Sequence, residues 1–440
     1  MTAVIIFLIL ALLLITGMPV SIALGLTVFT FLFTLSDVPM DAIALKLFTG
    51  IEKFEIMAIP FFILAGNFLT HGGVARRMIR FASSMVGHWY GGLGLASVLS
   101  CALFAAISGS SPATVMAVGS ILLPAMVRQG YPAQFGVGTI TSSGGLGILI
   151  PPSIVMVMYA VATSGMVVQG PNGDPVMSAS IGDLFIAGVV PGLILAMMLA
   201  GTTTFRAWRN DYPRQPRASF GARWQAFRES VWGLMLIVII MGGIYGGIFT
   251  PTEAAAVSAV YAFIVAVWVY KDIKLSEVPK VLLSSAAMSA MLLYIITNAV
   301  MFAFILTSEQ IPQTLSEWIV SLGLGKVGFL LVVNVLLLMI GMVMEPSAIV
   351  LIMAPILYPV AMALGVDPVH FGIMLVVNME IGLCTPPVGL NLYVASSLSR
   401  LGLTEVTRAT WPWLLTMLTF LMLITYIPEI TLFLPRLLGM

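Results

Sequence analysis

The sequence predicts an all-α polytopic membrane protein made of two inverted-topology repeats, each carrying a re-entrant helical hairpin and a discontinuous helix. Three observations predict it. The 440 residues are 60% hydrophobic and only 8% charged, and apolar runs repeatedly approach the roughly 20 residues that a helix needs to span hydrocarbon. Two adjacent prolines closely follow a glycine in two otherwise apolar stretches, Gly147-Ile148-Leu149-Ile150-Pro151-Pro152-Ser153 and Gly382-Leu383-Cys384-Thr385-Pro386-Pro387-Val388, 235 positions apart. Three further landmarks recur in the same order at offsets of 234, 235 and 236: Ser111-Pro112 with Glu345-Pro346, the run ending at Pro124 with that ending at Pro359, and Phe135-Gly136 with Phe371-Gly372. A duplicated break at membrane depth marks a transporter, because unwound backbone survives there only where it is buried in protein or lines a cavity.

Several classes are excluded or disfavoured. A net charge of +1 without a basic stripe gives no case for nucleic acid. No Gly-x-x-x-x-Gly-Lys-Ser/Thr loop is present, so the chain shows no sign of hydrolysing ATP, and nothing marks it as an enzyme. Cys101 and Cys384 lie in apolar context and read as buried free thiols, while His71, His88 and His370 lack a metal-ligand spacing. Met1 to Ile15 has no basic n-region and no small-residue cleavage site, so it reads as a retained helix.

Charge placement sets the order of elements. The first repeat, 1–205, begins with scaffold helices over 1–80. Its N-terminal run divides at Gly17-Met18-Pro19 into two short helices, because its counterpart at 230–270 holds two spans. An amphipathic interfacial stretch at about 38–53 accommodates Lys46 and Lys53 on the outer side. Arg76, Arg77, Arg80 and Arg128 belong inside. The apolar segment 86–126 therefore enters and leaves by the cytoplasmic face, as a hairpin with Ser108 to Pro112 at its tip. A broken helix at 134–163, an outer loop at 164–183 without Lys or Arg, and a helix at 184–205 complete the repeat.

The connector 206–229 holds six arginines and is cytoplasmic, as is the loop with Lys271, Lys274 and Lys280. The second repeat, 230–440, has scaffold helices at 230–306, two of them turning outside at Thr250-Pro251-Thr252-Glu253. A lysine- and arginine-free stretch from Thr307 to Gly323 belongs outside. A hairpin follows at 325–363 with Met344-Glu345-Pro346 at its tip, then a broken helix at 370–398 and a helix at 410–435, with Arg400 and Arg408 cytoplasmic. Five crossings per repeat make the halves inverted, with both termini outside.

A hairpin tip meeting a broken helix brings together helix N-termini, which favour anions, and freed carbonyls, which bind cations. Ser108 and Ser110 with the carbonyls of Gly147, Ile150 and Pro152 supply the neutral oxygen donors suited to Na⁺, a hard cation. Met344, Glu345, Gly382, Thr385 and Pro387 occupy the corresponding places in the second repeat. Ser110, Ser111, Ser153, Asn378 and Asn391 are the candidate substrate-binding side chains. The small and polar residues also serve close helix packing, and the asparagines serve equally as interhelical glue. Glu345 and Glu380 are the acidic groups nearest the membrane centre, suited to carrying a coupling proton, balancing a cation or bonding to nearby backbone. With no Lys or Arg at that depth, an anionic substrate is held by hydroxyl and amide donors, helix dipoles and bound cations. Met156 and Met158 read as gap-filling core.

The run Gly242-Gly243-Ile244-Tyr245-Gly246-Gly247-Ile248-Phe249-Thr250-Pro251-Thr252-Glu253-Ala254-Ala255-Ala256, the tip Ser108 to Thr114, and Gly382 to Gly389 together resemble the large membrane subunit of TRAP (tripartite ATP-independent periplasmic) transporters, over essentially the whole chain. The resemblance implies an elevator-type secondary transporter of the bacterial inner membrane, driven by a sodium gradient and carrying organic acids such as C4-dicarboxylates, sialic acid or other sugar acids. It implies two partners, a small four-helix membrane subunit and a periplasmic substrate-binding protein. The sodium ligands it implies are Ser108, Ser110, Gly147, Ile150 and Pro152, then Gly382, Thr385 and Pro387. The second tip departs from the serine-rich first in carrying Glu345. The rivals are a stand-alone di- or tricarboxylate–sodium symporter, which needs no binding protein, and a channel.

Overall fold

Glycine and proline punctuation divides the apolar sequence into helices, and buried polar groups then hold those helices in register. The computed structural model describes residues 2–35, 39–166, 168–171, 173–311, 314, 317, 323 and 325–439. The portions of the scaffold stretch 1–80, the interfacial stretch 38–53, the Thr307 to Gly323 loop and the two repeat ranges that fall on other residues lie outside the described residues.

Two short helices, Thr2–Ile15 and Val20–Leu35, open the chain. They are separated where Gly17 takes φ +81°, a left-handed conformation that glycine adopts without a Cβ clash, and Pro19 follows. Helix Met40–Ile51 and a short 3₁₀ turn lead into Ala58–His71, which ends at Gly72-Gly73 before the basic helix Val74–Val86. Two helical pairs follow the same plan. In the first, Gly92–Ser108 turns through Gly109 and Ser110 into Ser111–Arg128; in the second, Lys326–Gly341 turns into Pro346–Ala363. Each pair precedes an interrupted helix. The first interrupted helix runs Ala133–Gly144, Leu146–Leu149 and Ile154–Thr163, the second Pro368–Leu383 and Leu390–Ser399.

Long helices Ile181–Arg209, Phe220–Tyr245, Val278–Ser308 and Leu403–Tyr426 carry the remaining apolar length, with Pro251–Ile264 continuing through a π-helical turn to Val269. Eight helices among the described residues are long and apolar enough to cross a membrane. Counting the first interrupted helix, bent by 41°, as one span makes nine. Capping follows from sequence: Ser180 with Asp183, and Thr250 with Glu253, form reciprocal capping boxes at two helix starts. A two-residue antiparallel ladder pairs Val168 with Val176 and Gln169 with Pro175.

Several of the basic residues assigned to one face meet the connector or the loop that follows it. Arg77 pairs with Asp272 and Arg80 with Glu229, both at 2.5 Å. The Arg214 guanidinium lies 3.8 Å from the Tyr90 ring centre, and the Tyr131 hydroxyl donates to the Pro213 carbonyl at 2.5 Å. The connector is thereby pinned under the base of the first helical pair.

The two interrupted helices pack reciprocally. Helix 111–128 lies against Leu390–Ser399, the later part of the second interrupted helix. Helix 346–363 lies against Ile154–Thr163, the later part of the first. Buried aromatics fill these seams. Tyr159 stacks edge-on to Tyr358, and its hydroxyl donates to the Pro368 carbonyl at 2.8 Å. Trp413 is fully buried, donates to Thr203 Oγ1 at 2.9 Å and lies against Gly138, where no Cβ would fit. Trp413→Ala removes both this packing and this hydrogen bond, so the unfolding temperature in detergent should fall by roughly 5 °C or more. A shift below about 1 °C by fluorescence-monitored melting would contradict the assigned packing.

Candidate functional site

The first tip is built by one left-handed glycine and a hydroxyl network. Gly109 (φ +58°) ends helix 92–108, and its amide donates to the Ala105 carbonyl, after which Ser110 is extended and starts helix 111–128. Ser108 Oγ and Thr114 Oγ1 lie 2.8 Å apart, and Thr114 Oγ1 donates to the Ser110 carbonyl at 2.8 Å. The Ser110 hydroxyl has no hydrogen-bond partner among the described residues and stays available as an oxygen donor.

The first break sits directly against this tip. A Cβ placed on Gly147 would lie 2.6 Å from the Ser110 carbonyl oxygen, and one on Gly109 would lie 3.0 Å from the Pro152 carbonyl oxygen. Only glycine permits that approach. Because Pro151 and Pro152 offer no N–H, the ladder stops here. The carbonyls of Ile150, Pro151 and Pro152 accept no hydrogen bond among the described residues, and both prolines are buried. Ser153 restarts the helix: its hydroxyl donates to the Ile148 carbonyl at 2.6 Å and accepts from the Met156 amide. The structure thus gathers Ser108, Ser110, Gly147 and Pro152 at one place. Ile150 directs its side chain onto Gly192.

The second tip and break are built differently. Glu345 caps helix 346–363, accepting from the Ala348 amide at 3.3 Å and the Ser347 hydroxyl at 2.7 Å. Contact with the break is made by Gly341 and Met342 rather than by Met344. The Met342 carbonyl accepts from the amides of Val388 and Gly389, and a Cβ on Gly382 would lie 2.7 Å from Gly341 Cα. Thr385 donates its hydroxyl to the Ile381 carbonyl at 2.7 Å, and its amide donates to the Gly382 carbonyl at 3.0 Å. Pro387 is exposed and Thr385 half-buried, so this break is open where the first is enclosed.

The halves meet through side chains. Asn391 donates to Ser111 Oγ at 2.6 Å, joining the second break to the first tip, and its own Oδ1 is buried and unpaired. Cys384 Sγ lies 3.5 Å from the Thr141 carbonyl. Asn378 has a different setting. Its amide donates to Asn334 Oδ1 at 2.5 Å, Asn334 donates in turn to Thr425, and no hydrogen bond ties Asn378 to either tip among the described residues.

Thr114, Ser142 and Ser143 lie outside the binding residues expected from sequence, and Glu380 is one of the two acidic groups that the sequence places nearest the membrane centre. Thr114 locks the first tip, as a hydroxyl one turn into a helix beginning Ser-Pro foreshadows. Ser142 and Ser143 are buried with unpaired hydroxyls on the last turn before the first break. Glu380 is fully buried, neither carboxylate oxygen has a partner among the described residues, and it lies against Gly145, where a Cβ would collide with Oε1. A carboxyl in that setting calls for a proton or a cation. No group of three or more His, Cys, Asp or Glu able to hold a metal occurs among the described residues. Apart from the Glu380 carboxyl, the oxygens at the breaks are neutral carbonyls and hydroxyls, a donor set suited to a monovalent hard cation.

Residues 7–430 match the family model for the tripartite ATP-independent periplasmic transporter, DctM component. The chain belongs to this family. It is 71% identical over 440 residues to the C4-dicarboxylate TRAP transporter large permease protein DctM of Rhodobacter capsulatus, covering 100% of both chains. It is 53% identical over 418 residues to the protein of the same name from Pseudomonas aeruginosa, covering 95% of each. The solved YdaH transporter of Alcanivorax borkumensis is similar in fold, with TM-score 0.62 at 18% identity over 92% of this chain and 96% of that one. The chain is therefore a multi-pass transporter permease and not an enzyme.

Gly147→Ala should displace the first tip from its break, lowering thermal stability and abolishing uptake. Gly201→Ala, where nothing lies within 4 Å of the added Cβ, should leave both near wild type. Wild-type uptake by the Gly147 variant in reconstituted vesicles would contradict the contact.

Proposed function

We propose that the chain is the large permease of a sodium-coupled C4-dicarboxylate uptake system of the bacterial inner membrane. The observation that carries this reading is the meeting of each tip with its own break, combined with the Asn391–Ser111 bond that joins the two halves. Its close relatives are called C4-dicarboxylate permeases, which supports the substrate class. A small four-helix membrane subunit and a periplasmic binding protein complete the transporter, the latter delivering substrate to the outer face.

On this reading, residues 1–205 and 230–440 are inverted repeats flanking the basic connector 206–229. The hairpins and broken helices move together as an elevator against the scaffold. One sodium ion is held by Ser108, Ser110 and the carbonyls of Gly147, Ile150 and Pro152. A second is held by oxygens of Met344, Glu345, Gly382, Thr385 and Pro387, among which the Glu345 side chain is already committed to capping. The dicarboxylate lies between them, near Ser110, Ser111, Ser153 and Asn391. Asn378 supports that region through the Asn334–Thr425 ladder. Sodium binding neutralises the approach of a dianion, so substrate and ion are taken up together. Membership of a tripartite family weighs against the stand-alone symporter.

Succinate uptake into vesicles containing all three components should require an inward sodium gradient and the binding protein. Uptake by this chain alone would overturn the tripartite reading. Thr385→Val should raise the sodium concentration for half-maximal uptake by about tenfold, the loss of one oxygen contact. An unchanged sodium dependence would remove Thr385 from the site.

A further inference from the structure

At the end of the molecule opposite the basic connector, a cavity of about 580 Å³ lies between helix Met40–Ile51, helix Val278–Ser308, helix Pro346–Ala363 and the end of Ile154–Thr163. That volume falls within the ~300–1,000 Å³ typical of small-molecule sites. Its charged wall residues are Lys46 and Lys53, and no carboxylate lines it among the described residues. Lys53 Nζ donates to the carbonyls of Val161 at 3.2 Å and Ser164 at 3.0 Å, groups left unpaired at a helix C-terminus. Lys46 Nζ lies 5.8 Å from the Phe304 ring centre. Neither ammonium forms an ion pair among the described residues. Burial pushes the Lys53 pKa below its usual range and Lys46 adds to this, while Glu55 opposes it. Two cations without carboxylate partners in one largely apolar cavity, in a chain only 8% charged, require an explanation other than solubility.

We propose that this cavity is a receiving site for a dicarboxylate, in which Lys46 and Lys53 engage the two carboxylates of a dianion before it reaches the helix breaks. The inference rests on the dicarboxylate reading above. An incoming carboxylate replaces the Val161 and Ser164 carbonyls as the partner of Lys53, because it adds a full negative charge to a hydrogen bond whose acceptor is otherwise a neutral carbonyl. The later part of the first broken helix, 154–163, loses its tether to the 46–53 segment as the site fills. Lys53 therefore links occupancy of the outer cavity to release of a helix that packs on the second hairpin.

Thr307 is exposed in the cavity wall, and the native thiols Cys101 and Cys384 are fully buried, so Thr307→Cys provides a single labelling point. In vesicles containing the whole transporter, a membrane-impermeant anionic methanethiosulfonate should label the introduced thiol about tenfold faster than a cationic one. Millimolar succinate should slow that labelling. Adding Lys46→Gln and Lys53→Gln should abolish both the charge preference and the protection, while Lys46→Arg and Lys53→Arg retain them. Asn391→Ala should lose uptake yet keep protection. Missing protection alongside normal sodium-driven succinate uptake, or protection that persists in the double Gln variant, overturns the receiving site alone. A wild-type transporter that takes up no succinate overturns the dicarboxylate reading instead.

Discussion

Everything in this structure depends on one constraint: backbone that leaves the helical ladder inside a membrane must find its partners within the protein. The first break meets it by burial. Pro151 and Pro152 remove two donors, Gly147 lets the Ser110 backbone approach, the Pro152 carbonyl lies against the tip, and the carbonyls of Ile150, Pro151 and Pro152 accept no hydrogen bond among the described residues. The second break meets it by direct pairing, the amides of Val388 and Gly389 bonding to the Met342 carbonyl. One solution leaves oxygen donors in reserve; the other uses its donors to hold the tip. The two breaks are thus alike in sequence and unlike in hydrogen bonding.

That difference places Glu380 in context. Its carboxyl belongs to the second interrupted helix but lies against Gly145, at the first break. With Asn391 reaching Ser111 in the same direction, the second half supplies side chains to the first site. The first half answers at the other seam, where Tyr159 reaches the Pro368 carbonyl and packs with Tyr358. A displacement of either broken helix must disturb both halves.

Much of this is legible in the sequence because proline and glycine act locally. The positions of both tips, both breaks and the division at Gly17 follow from conformational demands within a few residues. The placement of Arg77, Arg80 and Arg214 near the connector and the loop at Asp272 accords with the charge pattern. What sequence does not rank is the choice among equivalent polar side chains. Asn378 and Asn391 flank the same break, but only tertiary packing decides that one faces Asn334 and the other Ser111. Position alone puts Met344 and Glu345 at the second tip, whereas the neighbouring Gly341 and Met342 make the contact, since the turn shifts which carbonyl points at the break. Ser142 and Ser143 carry no signal of their own, because a buried unpaired hydroxyl is defined by its surroundings and not by its spelling.

On the proposed reading, the carbonyls and hydroxyls of the first tip and break hold a sodium ion. The most direct measurement is the unfolding temperature of the purified chain in detergent as sodium replaces potassium at constant ionic strength. A ligand that binds the native state alone stabilises it by mass action. A saturable rise with sodium is expected, absent with potassium and greatly weakened by the paired change Ser108→Ala and Ser110→Ala. Identical melting in the two salts, or a sodium effect untouched by that pair of substitutions, would contradict it.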